Sequence, residues 1–157
     1  MNAPSPLDTM GTILGFDFGL RRIGVAVGQT ITRTATPLQT LLCTDGYPNW
    51  SIVSRLIAEW CPVALVVGLP LTANGMDSAI LTATRGFIRH LEAQYRLPVH
   101  TVDEHLSSWE AEAHVALSGK PRSSHRSPPK GNIDKIAAQV ILQTWLAHRA
   151  TVSPFLE

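Results

Sequence analysis

A chain of 157 residues with 45% hydrophobic side chains has enough apolar material for one compact α/β domain and too little length for two. Its net charge of only +1 gives no whole-molecule attraction to a polyanion, so nucleic-acid contacts would have to come from local patches. Cys43 and Cys61 have no close-spaced partners, and no apolar run approaches the roughly 20 residues of a membrane helix, which predicts a cytoplasmic protein without a membrane partner.

Residues 1–10, with Pro4, Ser5 and Pro6, lack the basic start and apolar run of a signal peptide and read as a flexible leader. Thr12 to Phe18 is a short apolar run ended by Gly19, which predicts a buried strand. Ile23 to Val27 pairs with it across a short turn. Thr32 to Leu41 supplies a third strand, whose Pro37 marks an edge or a bulge. After a turn at Asp45 to Pro48, the residues Ile52, Val53, Leu56, Ile57 and Trp60 recur at helical spacing until Pro62.

The uniformly apolar Val63 to Val67 predicts a strand covered on both faces. Ile80, Leu81, Thr84, Phe87, Ile88, Leu91 and Tyr95 describe a long amphipathic helix, and Pro98 to Asp103 the next strand. Ser107 and Glu110 have capping-box spacing, so a helix is expected from there to Gly119. The helix-hostile segment Lys120 to Lys130 follows, then a last helix from near Gly131 with Ile133, Ile136, Ala137, Val140, Ile141 and Trp145 on its apolar face. Residues 149–157 read as a tail, which leaves 11–148 as the domain. The fold class is therefore α/β, with a mixed five-stranded sheet, three antiparallel strands and then parallel ones, and helices on both faces.

Three acids stand out against this background. Asp17 sits in a strand among apolar neighbours, where desolvation disfavours a charge, although a salt bridge to Arg21 or Arg22 explains it equally well. Asp103 and Glu104 stand at the carboxyl end of a strand, the edge from which open α/β sheets present ligand-binding groups, and they are also ordinary residues before a capped helix. Asp134 falls in the expected first turn of its helix, where the dipole favours a carboxylate, yet it leads the inward stripe Ala137, Ala138, Ile141 and Trp145.

A first strand, a later strand end and a terminal helix can bring Asp17, Glu104 and Asp134 together, and hard carboxylate oxygens suit magnesium or manganese. Without a cation, two such charges about 4 Å apart at an effective dielectric near 20 repel by roughly 4 kcal/mol. The six histidines show no zinc-type spacing, and the four tryptophans fit helix faces and read as core.

Four segments in order resemble the YqgF family of bacterial Holliday junction resolvases and precursor ribosomal RNA nucleases. They are the stretch from Gly15 to Ala26, Val66 to Leu71 with Asn74 and Gly75, Asp103 to Ser108, and Lys130 to Ala138. The resemblance implies a ribonuclease H-like fold, phosphodiester hydrolysis, and Asp17, Glu104 and Asp134 as catalytic metal-binding acids. It implies Arg21, Arg22 and Lys130 as phosphate contacts. His105 stands where the family commonly has arginine, which leaves it a minor candidate for phosphate contact or proton transfer.

Lys120, Arg122, Arg126 and Lys130, with no acid among them, form a basic segment that reads either as a nucleic-acid clamp or as a solvated loop. The expected partners are precursor ribosomal RNA, alongside the small ribosomal subunit, or branched DNA, and the expected state is a monomer or homodimer. A catalytically silent nucleic-acid or ribosome binding module is the third reading. A two-lobed phosphotransferase of the actin and sugar-kinase type also opens on an Asp-x-Gly turn, but this chain has length for one lobe.

Overall fold

The computed structural model describes residues 10–70, 79–103 and 130–151, with side chains of the last segment from 133 to 148. In chain order the elements are β1 (Thr12–Asp17), β2 (Arg22–Gln29), β3 (Thr34–Thr44), β4 (Tyr47–Pro48), α1 (Trp50–Trp60), β5 (Ala64–Leu69), α2 (Ala79–Tyr95), β6 (Val99–Asp103) and α3 (Lys130–Thr151). The sheet order is β4-β3-β2-β1-β5-β6. β1 pairs antiparallel with β2 and parallel with β5, which pairs parallel with β6. The carboxyl ends of β1, β5 and β6 therefore share one edge of the sheet.

Strand alternation divides the core in two. Leu14, Phe16, Ile23, Val25, Leu65 and Val67 point to the face covered by α1 and α2, where they pack with Val53, Leu56, Phe87 and Leu91. Ile13, Ala26, Ala64, Val66 and Val102 point to the other face and meet Ala138, Ile141, Leu142, Trp145 and Leu146 of α3. This second interface is unusually close because glycines line it. A Cβ at Gly15 would come within 3.0 Å of the Leu142 Cβ, and one at Gly28 within 2.9 Å of the Leu142 Cδ2. Missing side chains on the strands admit the helix backbone.

The mixed sheet with helices on both faces matches the expectation, with one strand more than the five predicted. The addition is β4, two residues paired with Cys43 and Thr44 within the stretch expected to be only a turn. Pro37 does sit at a bulge: Val25 faces Gln39 while Ala26 faces Pro37, so Leu38 is the extra residue. α1 stops at Trp60, because Cys61 adopts a left-handed conformation at φ 47 and its N–H donates to the Ile57 carbonyl at 2.9 Å. The predicted helix from Ser107 to Gly119 lies outside the described residues. No helix among the described residues is long and apolar enough to cross a membrane.

Both cysteines are free thiols, and burial separates them chemically. Burial pushes the Cys43 thiol up to about 11, whereas Cys61 is exposed at the end of α1. At pH 8 only about one Cys43 in a thousand is then thiolate. Iodoacetamide at that pH is expected to modify Cys61 first and leave Cys43 until the protein is unfolded, as peptide mass mapping over time would show. Equal labelling rates in the folded protein would contradict this.

Candidate metal centre

β1 delivers Asp17 to the shared carboxyl edge, and its orientation follows from the register. Asp17 is directly opposite Gly24 on β2, and directly opposed residues in an antiparallel pair project to the same face. The Gly24 face is that of α3, since a Cβ there would lie 1.9 Å from the Asp134 carbonyl oxygen. The strand position carrying Asp17 is thus paired with the point where the α3 backbone rests on the sheet. Asp17 and Asp134 come from opposite ends of the chain to one corner of the same face.

The row extends across the parallel strands. Phe16 is aligned with Val67, which makes Gly68 the next position beside Asp17, and Gly68 is aligned with Val102. Val102 belongs to the core cluster on the α3 side. The middle of this row is therefore the buried Gly68, which puts no side chain on the α3 face beside Asp17. Asp103, one residue later on β6, alternates to the opposite face.

Asp134 is held by a defined contact: the Arg22 Nε donates to its Oδ2 at 2.7 Å, with the two side chains 32% and 22% exposed. Arg22 opens β2 and alternates to the same face as Gly24. Arg22, one of the two arginines expected near Asp17, thus bonds Asp134, a pairing across 112 residues that sequence spacing does not reveal. α3 also begins earlier than expected. Starting at Lys130, it has no acidic residue in its first turn, so Asp134 is not a capping carboxylate at the helix terminus.

Arg21 is exposed in the link between β1 and β2, and its carbonyl accepts the Cys43 N–H at 2.8 Å, which pins that link to β3. Glu104, His105, Lys120, Arg122 and Arg126 lie outside the described residues, and Lys130 is placed only as the first residue of α3. Among the described residues no group of three His, Cys, Asp or Glu stands together as a metal site. The two acids nevertheless fit one. They offer hard oxygen donors on one face of the sheet, with the side-chain-free Gly68 in the row beside Asp17.

A family model described as RuvX, Holliday junction resolvase, matches residues 11–148. The chain belongs to the RuvX/YqgF family. A relative from Hydrogenovibrio crunogenus, named as a candidate pre-16S rRNA nuclease, is 46% identical over 136 residues, which cover 87% of this chain and 93% of the relative. One from Pseudomonas putida with the same name is 47% identical over 134 residues, covering 85% and 93%.

Among solved structures, T. thermophilus RuvC in complex with a Holliday junction substrate aligns with a TM-score of 0.57 at 16% identity, over 91% of this chain and 98% of that one. The yeast mitochondrial Holliday junction resolvase Ydc2 aligns with a TM-score of 0.57 at 9% identity, over 94% and 82%. At such identities the likeness is one of fold. It agrees with the ribonuclease H-like architecture expected from the four RuvX/YqgF motifs.

Proposed function

We propose that this chain is a magnesium- or manganese-dependent nuclease whose substrate is precursor 16S ribosomal RNA. The observation that carries the reading is the shared corner of Asp17 and Asp134, two carboxylates from distant segments on one face of the sheet beside a glycine position. Glu104 is the third ligand in this proposal. A bound divalent cation supplies an activated water and stabilises the leaving oxygen of the phosphodiester.

The remaining work falls to the chain's own groups. Asp17, anchored by β1 in the core, fixes one donor oxygen relative to the sheet. The Arg22 Nε holds the Oδ2 of Asp134, so the carboxylate keeps one orientation and its Oδ1 remains for a ligand. Arg21, exposed one residue away, is placed to contact a phosphate, and Lys130 adds a second cation at the start of α3. His105 is a subordinate phosphate contact. The pre-rRNA substrate is supported by the names of the relatives, and it implies action in the cytoplasm near the small ribosomal subunit.

A second reading, cleavage of four-way DNA junctions, is favoured by the family description and by the RuvC-like fold. A junction needs two cuts and hence two sites, so that reading requires a homodimer, whereas a monomer suffices for RNA. Purified protein offered both substrates with magnesium or manganese is expected to cut the precursor RNA. Preferential cutting of the junction would favour the second reading, and binding without cutting of either would make the chain a silent binding module.

The basic segment is tested separately. Neutralising two of Lys120, Arg122, Arg126 and Lys130 is expected to flatten the slope of log affinity against log salt by about two, if both touch phosphate. An unchanged slope would leave the segment as a solvated loop.

A further inference from the structure

On the face of the sheet opposite the acids lies a cleft of about 330 Å³, lined by Asp45, Gly46, Tyr47, Trp50, Gly86 and His90 among others. Its volume is at the low end for a small-molecule pocket. Its lining is aromatic and open: Tyr47 is 75% exposed, and the Trp50 ring stacks on the exposed His90 with centroids 3.6 Å apart and planes 13° from parallel. Arg89, exposed on α2, lies one residue before His90 and one turn from Gly86.

Two further observations give the cleft a purpose. Gly86 occupies the interior of α2, where glycine costs about 0.5–1 kcal/mol relative to alanine, and packing does not require it: a Cβ there meets nothing within 4 Å among the described residues. Its missing side chain keeps the cleft open. The cleft also adjoins the link that follows Asp17. The Gly46 N–H donates to the Leu20 carbonyl at 2.9 Å, and a Cβ on Gly46 would lie 3.5 Å from the Phe18 ring. A strand whose phosphate sits at Asp17 needs only to cross the short link from Phe18 to Arg21 to reach the aromatic surface.

We infer that this cleft is a subsite for one unpaired nucleobase of the substrate strand, which stacks on the Tyr47, Trp50 and His90 surface while Arg89 meets the adjoining phosphate. The inference rests on the nuclease reading above and adds to it a requirement for a single-stranded nucleotide beside the cut. Stacking is tolerant of base identity, so the subsite selects unpaired strands rather than sequences.

The test is equilibrium binding of short oligo-uridine and oligo-thymidine strands in EDTA, to the wild type, Gly86→Leu and Tyr47→Ala. Gly86→Leu fills the cleft at a helix position that favours a side chain, so it should melt no lower than the wild type. Both variants are expected to lose at least about fivefold in affinity, with an unchanged salt slope, because stacking and not phosphate contact is removed. A strand carrying one abasic position should bind the wild type correspondingly weakly and the two variants no worse than the intact strand.

Wild-type affinity in a folded Gly86→Leu protein, or no discrimination against the abasic strand, would overturn the subsite. Loss with one sugar only would assign it to RNA or to DNA. Failure of the nuclease reading shows elsewhere, as absence of metal-dependent cleavage by a wild type that still binds strands. Absence of any strand binding would overturn both.

Discussion

Asp17→Asn is expected to reduce cleavage by more than about a hundredfold, the upper range for losing an outer-shell partner of a metal, since here a proposed ligand itself is changed. The same substitution should leave the melting temperature of the metal-free protein equal or higher. Asp17 is half-buried and shares its corner of the sheet with Asp134, so without a cation asparagine relieves the repulsion between the two carboxylates. Asp134→Asn should match it in activity but not in stability. It weakens the Arg22 contact, and with both partners partly exposed the loss stays under about 1 kcal/mol. Single-turnover cleavage and thermal unfolding of both variants in EDTA separate the roles. A large drop in melting temperature for Asp17→Asn would make it a structural residue.

Gly24→Ala is expected to damage fold and site together. The added Cβ would stand 1.9 Å from the Asp134 carbonyl, a backbone atom that no side-chain rotation can move, so α3 must lift from β2. Overpacking of a close interface costs typically about 1–3 kcal/mol. The displacement also carries Asp134 away from Asp17, so activity should fall even at temperatures where the variant is fully folded. Gly86→Ala, a glycine substitution in open space, is the matched control and should stabilise. A Gly24→Ala protein with wild-type melting temperature and cleavage would show that α3 does not fix the site through this contact.

The contrast between those glycines marks what the sequence can disclose. Periodicity made the strands and helices legible, because Leu14 and Phe16 or Val53 and Leu56 obey spacings that burial imposes. The inward stripe headed by Asp134 was legible for the same reason, and the α3 cluster contains its members Ala138, Ile141 and Trp145. Gly24 and Gly28 inside a strand carry no such signal, since the helix that needs their bare backbone comes more than a hundred residues later. The Arg22 to Asp134 bond was hidden likewise, since local spacing suggests only the nearby Asp17 as a partner for Arg21 or Arg22. β4 was missed because two paired residues are too short to show alternation. Trp50 read as core, and it is half-buried with His90 stacked upon it, a cross-helix contact that hydropathy does not register.

The docking of α3 has a consequence for how the molecule is made. β1 and β2 leave the ribosome early, but the glycine-lined face they present has no cover until α3 follows, and the Arg22 to Asp134 bond waits on a partner 112 positions downstream. A nascent or prematurely ended chain therefore holds only part of the proposed acid set. The helix that closes this face also carries Asp134, so the proposed metal site is assembled only when the fold itself is complete.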